Sequence, residues 1–179
     1  MAKDRKIDMV ILGLLSHEDL TGYDIKKRID SHISFFWKGS FGSIYPALSG
    51  LQEQGMIVRR SCGSGSREKI SYSITEDGRI CLNEWLRDSN ACNDLKYETL
   101  VKLFFGGAAG RETSIRNIDA FEKDIRRDLE VLKMYKENLE KDLSDDHIYF
   151  YLTVTFGIDT YEGYLKWCSK ARKLLRNSL

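Results

Sequence analysis

The basic side chains between residues 59 and 69 are the group in this 179-residue sequence most suited to chemistry. Four basic residues and one acidic residue give this segment a net charge of +3, in a chain whose total is +1. Contact with phosphate groups requires such a local excess of positive charge. The Gly/Ser-rich stretch 61–66 is typical of a hairpin tip, and a solvated hairpin with no partner remains an alternative. The charged residues are Arg59, Arg60, Arg67, Glu68 and Lys69.

Hydroxyl-bearing and small residues precede this segment, at the start of a predicted helix. The first turn of a helix can reach base edges and phosphates in the major groove of DNA. Ser40, Ser43 and Tyr45 would lie at that end, and Gly42 would allow the backbone to approach closely. Tyr45 could equally be a core aromatic residue. These residues and the basic hairpin together favour duplex DNA as the partner.

The limits of that helix follow from its apolar spacing and from two punctuating residues. Apolar residues recur at helical spacing from Ile44 to Leu51, and Gly55 is a natural stop after the last turn. Pro46 is tolerated in a first turn, where backbone N–H groups have no internal partner. We therefore predict that the helix begins near Gly42 or Ser43.

The elements around these residues occur in the order helix, helix, helix, strand, strand, helix. Thr21 with Asp24 three residues later predicts a capped start to the second helix. Alternation over residues 69–74 predicts the second strand of a hairpin, and Thr75 caps the next helix. This order is that of a winged helix-turn-helix with a two-stranded wing. The polar stretch 88–94 separates a domain of residues 1–89 from one of residues 90–179.

The second half has an all-helical pattern. A long helix is predicted over 113–143, followed by a helix that starts near 144 and ends in a basic tail. Residues 148–158 of that last helix are apolar nearly all round, which predicts deep burial. The long helix carries an apolar seam with a seven-residue spacing, typical of packing in a helical pair. Because one small domain cannot cover both surfaces, we predict a homodimer that uses Ile118, Ile125, Leu129, Leu132 and Leu139.

Composition excludes several other classes of protein. With 42% hydrophobic residues and one proline, the chain is expected to be globular and mainly helical. Its four cysteines form no C-x-x-C pair, and its three histidines fit no metal-ligand spacing, so we expect no metal and no cofactor. The glycine run 106–110 lacks phosphate-loop spacing, and we expect no enzymatic activity and no catalytic residues. The absence of a signal peptide and of a 20-residue apolar span predicts a cytoplasmic protein that does not contact membranes.

Several motifs at fixed spacing resemble those of the PadR family of transcriptional regulators. Residues in the second half are similar to the helical C-terminal domain of the longer, virulence-activator-like subfamily. Gly50 is a departure, since a charged or bulky residue is expected near that position. The first-half motifs are Thr21-Gly22-Tyr23-Asp24-Ile25, Phe36-Trp37, Ser43-Ile44-Tyr45-Pro46-Ala47-Leu48, Gly55-Met56-Ile57 and Tyr72-Ser73-Ile74-Thr75. Those of the second half are Leu152, Gly157-Ile158, Tyr161 and Tyr164-Leu165-Lys166-Trp167.

The resemblance implies a dimeric repressor that binds a DNA operator and responds to a small aromatic molecule. It places Ser43 and Tyr45 in the recognition helix, and Arg67 and Lys69 in the wing. The aromatic residues proposed to line an effector site are Phe105, Tyr161, Tyr164 and Trp167, although an aromatic-rich core would contain the same residues. The full predicted DNA-contacting set is Tyr23, Lys26, Lys38, Ser40, Ser43, Tyr45, Arg67 and Lys69.

Two alternative interpretations of this pattern stay open. Winged helices also serve as protein-interaction modules, and the total charge of +1 is compatible with a module or a ligand sensor that binds DNA weakly. Lys26, Lys27 and Arg28, taken alone, are typical of a solvated helix face.

Overall fold

The computed structural model describes residues 6–37, 41–62, 69–89, 91, 93 and 96–177, and of these it gives only the backbone at 41, 61, 62 and 69. The chain divides into two compact units, Met1–Asn93 and Asp94–Leu179. This division lies a few residues after the predicted boundary at residue 89. We describe each unit by itself.

The first unit contains four α-helices and three strands among its described residues. A five-residue π-helical turn, Ile29–Ile33, continues the second helix. The elements are α1 (Lys6–Leu15), β1 (Leu20–Thr21), α2 (Gly22–Arg28), α3 (Phe41–Glu53), β2 (Ile57–Cys62), β3 (Lys69–Ile74) and α4 (Glu76–Arg87).

The strands form one antiparallel sheet in the order β1-β3-β2. Register pairs Ile57 with Ile74 in the hairpin and Leu20 with Tyr72 in the short outer strand. The two predicted wing strands are β2 and β3, and β1 adds a third strand to their sheet. Because two residues are too few to show an alternating pattern, β1 could not be predicted from the sequence. The prediction of a winged helix followed by a helical C-terminal region is confirmed.

The core of the first unit forms where α1, α2 and α3 turn their apolar faces towards one another and towards β2. Burying such side chains removes apolar surface from water, and this is the main favourable contribution to folding. The positions predicted to be apolar on the third helix are all buried. The residues with the least exposed side chains are Ile11, Leu12, Leu15, Ile25, Ile29, Ile44, Leu48 and Ile57.

The helix starts and stops predicted from single residues are present. The backbone N–H of Asp24 donates to Oγ1 of Thr21 at 3.1 Å, and that of Gly78 donates to Oγ1 of Thr75 at 3.1 Å. Each cap of this kind contributes about 1 kcal/mol. Gly55 has a φ of +73°, a left-handed conformation that suits glycine at the end of α3.

The helix α3 already includes Phe41, one or two residues before the predicted start. Because the helix begins at Phe41, Pro46 is its sixth residue and lies in the helix interior instead of the first turn. Pro46 therefore has no N–H to donate to the carbonyl of Gly42. Pro46 is exposed, whereas Ile44 and Leu48 on the other side of the helix are buried.

The second unit is an antiparallel helical hairpin with a short helix beside it. Its elements are α5 (Glu98–Phe104), a 3₁₀ turn (Gly106–Ala108), α6 (Arg111–Leu139) and α7 (His147–Asn177). The helix α6 ends four residues before the predicted limit at 143. Among the helices of the described ranges, none combines the length and the apolar character that a bilayer crossing requires.

The seam of α6 lies inside one chain, where α6 packs mainly against α7. Ile118, Ile125, Leu129 and Leu132 are buried there, and Leu139 is half-buried. Their assignment to a dimer interface stays a prediction, and their burial within one protomer does not favour it.

The predicted burial of residues 148–158 is wrong for a single chain. Val154, Gly157 and Ile158 are buried, whereas Tyr149, Leu152 and Phe156 are exposed at positions that follow one face of α7. We call these three exposed residues the α7 stripe. The reason for the difference is geometric, because α6 covers only one side of α7. An exposed apolar face of this kind is typical of a contact surface.

Candidate nucleic-acid interface

The amino-terminal half of α3 has one buried and one exposed face. Ile44, Ala47 and Leu48 anchor the buried face in the core. On the other face, Tyr45 is 49% exposed and Ser49 is also exposed, whereas Ser43 is half-buried. The alternative in which Tyr45 is a core aromatic residue is therefore wrong. The exposed face offers hydroxyl groups and an aromatic edge, the groups that contact phosphate and base edges.

The start of α2 presents a second exposed tyrosine. Tyr23 is 65% exposed, in the first turn of the helix. Lys26 is less accessible, because its side chain is 18% exposed and forms an ion pair with Asp30. Arg28 is likewise paired with Glu18. Both cations are paired with carboxylates, which does not favour a phosphate-binding cluster here, and Lys26 stays a prediction as a DNA contact.

The strands of the hairpin carry exposed arginines at the base of the wing. Arg59 and Arg60 are both exposed on β2, and Nε of Arg60 lies 3.8 Å from Oδ2 of Asp19. The backbone of Lys69 begins β3 and pairs with Cys62. The side chain of Lys69 and the whole of Lys38, Ser40 and Arg67 lie outside the residues that the structure describes.

An aromatic cluster in the second unit contains three of the four predicted effector-site residues. The ring of Tyr164 lies 5.9 Å from that of Tyr161 and 5.9 Å from that of Phe121, and the ring of Phe121 lies 6.4 Å from that of Trp167. Tyr97 completes the cluster, since its ring lies 5.6 Å from that of Tyr164 and their hydroxyl groups are hydrogen-bonded. The fourth residue, Phe105, is exposed and packs edge-on against Phe104.

Sequence reasoning missed two members of this cluster. Tyr97 precedes α5 and belongs to no periodic pattern, so nothing in the sequence distinguished it. Phe121 follows Ile118 by three residues on α6, a spacing typical of the apolar seam, although its ring lies against the tyrosines. Burial raises the pKa of Tyr161 to about 12, and burial together with the hydrogen bond to Tyr164 raises that of Tyr97 further. Both phenols are therefore neutral at physiological pH.

A buried carboxylate joins α6 to α7. The side chain of Glu122 is 10% exposed and forms an ion pair with Arg172, and Nε of Arg126 donates to its Oε1 at 3.0 Å. Arg172 also donates to Oδ1 of Asp119 at 2.9 Å. The hydrogen bond from Arg172 holds the pKa of the Glu122 carboxyl below its ordinary value, although burial acts in the opposite direction.

We expect Glu122→Gln to destabilise the chain by about 1–3 kcal/mol at pH 7, because two guanidinium groups lose their buried acceptor. A carboxyl whose pKa is lowered by folding stabilises the chain above its unfolded pKa of about 4.3, and this contribution disappears as the pH falls through the folded value. The gap in melting temperature between wild type and variant should therefore shrink below pH 4.

Glu130→Gln, an exposed change on the same helix, is the control and should leave the melting temperature nearly unchanged. A Glu122→Gln variant as stable as wild type at pH 7 would show that the ion pairs contribute nothing to the α6–α7 contact.

Comparisons with known proteins agree with the two-unit division. The model of the transcriptional regulator PadR-like family matches residues 11–84, and the model named virulence activator alpha C-term matches residues 95–176. The curated "Negative transcriptional regulator PadR" of Bacillus subtilis is 27% identical over 91% of this chain and 93% of its own length.

Two crystal structures resemble the whole chain. That of Bacillus subtilis PadR in complex with operator DNA has a TM-score of 0.80 at 26% identity and covers 94% of this chain and 98% of its own. That of a PadR-like transcriptional regulator from Bacillus cereus has a TM-score of 0.80 at 25% identity, with coverage of 97% and 100%.

Proposed function

The chain belongs to the PadR-like family of transcriptional regulators, and we propose that it is a repressor that binds duplex operator DNA as a homodimer. The observation that carries the proposal is the exposed amino-terminal half of α3, with Tyr45 outside the core of a winged helix. Repression follows the description of its Bacillus subtilis relative as a negative regulator. A cytoplasmic location belongs to the same proposal, because a regulator that binds operator DNA must reach the chromosome.

DNA recognition follows from the shape of the first unit. With Ile44 and Leu48 in the core, α3 can enter the major groove on its Tyr45 side. The hairpin of β2 and β3 would then flank the groove, with Arg59 and Arg60 at its base, and Arg67 and Lys69 are the proposed phosphate contacts of the wing. The Bacillus subtilis relative with the same fold was crystallised with its operator, which supports this mode of binding.

We propose that the α7 stripe packs against a second copy of the chain. Tyr149, Leu152 and Phe156 expose large apolar side chains, and solvent contact at three such positions on one face is unfavourable. A two-fold dimer would pair the same surface on both protomers. Its two recognition helices would then read half-sites about one DNA turn apart, roughly 34–36 Å.

The effector proposal rests on the aromatic cluster of the second unit. Tyr161, Tyr164 and Trp167, together with Tyr97 and Phe121, offer ring faces and phenol hydroxyls, which suit a small aromatic molecule with a polar substituent. The structure does not favour Phe105 as a member of this site, because its ring packs against Phe104 and it is largely exposed.

The second candidate function is a protein-interaction module without strong DNA binding. The ion pairs of Lys26, Arg28 and Arg60 with acidic residues favour it, because they lower the positive charge available on the first unit. The two functions differ in their salt dependence. Binding of duplex DNA through phosphates weakens steeply as salt rises, whereas an interaction module should have little affinity for duplex at any salt concentration.

Removing the hydroxyl of Tyr45 tests the recognition helix directly. Tyr45→Phe keeps the ring, so we expect DNA affinity to fall by about 0.5–1.5 kcal/mol through the loss of one hydrogen bond, with little change in melting temperature. Fluorescence anisotropy with labelled duplex measures the affinity.

Tyr151→Phe is the matched control, since it removes a hydroxyl that donates to Glu140 at 3.1 Å in the second unit. It should leave DNA affinity unchanged. If Tyr45→Phe instead lowers the melting temperature and leaves the affinity of the folded protein intact, the hydroxyl of Tyr45 has a structural role and does not contact DNA.

A further inference from the structure

We propose that Gly22 is a positioning residue for DNA binding, which holds the ring of Tyr45 in one orientation on the exposed face of α3. This inference rests on the proposed function, because it concerns how the recognition helix presents its tyrosine. It starts from a close approach between α2 and α3 that only glycine permits.

The space beside Gly22 is already filled by the tyrosine ring. A Cβ atom at Gly22 would lie 2.8 Å from Cε1 of Tyr45, 3.1 Å from its Cζ and 3.2 Å from its hydroxyl oxygen. Carbon atoms that are not bonded pack at about 3.5–4.0 Å. The edge of the Tyr45 ring therefore packs directly against Gly22, the first residue of α2.

The backbone of Gly22 does not itself require glycine. Its φ lies outside the left-handed region that other residues avoid, and at the start of a helix alanine is the more favourable residue. Sterics from Tyr45, and not conformation, thus account for glycine at this position. A change to alanine would improve helix propensity and at the same time displace the ring.

The ring must be the part that moves, because the backbone at Gly22 is fixed on both sides. Thr21 before it pairs with Ser71 in the sheet, and its hydroxyl caps α2 by accepting from the N–H of Asp24. Gly22 is itself buried. Tyr45, in contrast, is half-exposed at the surface, so its side chain has room to rotate towards solvent.

The test is Gly22→Ala, with Gly13→Ala in α1 as the control, because a Cβ at Gly13 would meet nothing within 4 Å. We expect Gly22→Ala to shift the ring NMR signals of Tyr45, to keep or raise the melting temperature, and to weaken duplex binding about threefold to tenfold. Gly13→Ala should leave both the ring signals and the affinity unchanged.

A double-mutant cycle separates positioning from general damage. In a Tyr45→Ala background, Gly22→Ala should have no further effect on duplex affinity, because no ring remains to be displaced. Equal loss of affinity in both backgrounds, or unmoved Tyr45 ring signals in the single variant, would overturn the proposal. If the wild type does not bind duplex at all, the proposed function fails, while the ring signals still decide whether Gly22 positions Tyr45.

Discussion

The double substitution Leu152→Glu and Phe156→Glu will convert the protein from a dimer to a folded monomer and will weaken operator binding on the order of 10²–10⁴-fold. Neither residue lies in the first unit. The loss arises because two linked half-site contacts become independent ones, each of which then binds without the high effective concentration that the dimer provides. Both side chains are exposed in the single chain, so the added charges need not disrupt the fold.

The matched control is Leu174→Glu, an exposed leucine near the other end of α7 and outside the stripe. It should remain dimeric and bind the operator normally. Leu132→Glu provides a contrast, because Leu132 is buried between α6 and α7. An unpaired charge there costs several kcal/mol, and we expect it to lower the melting temperature instead of producing a stable monomer.

Analytical ultracentrifugation decides between the outcomes. A wild-type protein that sediments as a monomer at micromolar concentration would refute the dimer. If the double variant stays dimeric and binds DNA with wild-type affinity, the interface lies on another surface of the second unit.

Reversal of the wing charges is the second change with a large expected effect. Arg67→Glu together with Lys69→Glu should lower duplex affinity on the order of 10²-fold at moderate salt, because each protomer loses the two cations that we propose as phosphate contacts. The slope of log affinity against log salt should also become shallower, by roughly 0.9 for each phosphate contact that is lost.

Lys166→Glu with Lys170→Glu carries the same change of charge on exposed positions of α7 and should leave the slope unchanged. Equal effects of the two double variants would mean that total charge, and not the wing, governs binding. A wild-type slope in the wing variant, with the fold intact, would show that Arg67 and Lys69 do not contact phosphate.

The sequence anticipated those elements whose local signals agree with their tertiary contacts. Thr21, Thr75 and Gly55 each fix a helix end through their own side chain or backbone preference, and all three do so in the structure. The apolar spacing of α3 correctly assigned Ile44 and Leu48 to the core. Where the preference of a residue itself determines the local structure, that structure can be predicted from a single sequence.

Features that depend on a neighbour from elsewhere in the chain were missed. The strand β1 exists because Leu20 and Thr21 pair with β3, some fifty residues away, and two residues carry no pattern of their own. In the sequence, Lys26 stood out only as part of a run of cations, and its ion pair with Asp30 was not predicted. Likewise, Tyr97 belongs to the aromatic cluster only through contacts with residues far away in the sequence. Because the start of α7 is apolar on nearly all sides, its sequence did not indicate which side α6 covers.

Anisotropy of a labelled duplex from upstream of the protein's own gene, titrated with protein at several salt concentrations, tests the central claim most directly. If the chain is a dimeric operator-binding regulator, affinity will fall steeply with salt, with a log–log slope of about −0.9 for each phosphate contact, and will exceed that for a scrambled duplex. Binding that is absent at low salt, or whose affinity does not change with salt, would contradict the account and favour the protein-interaction module.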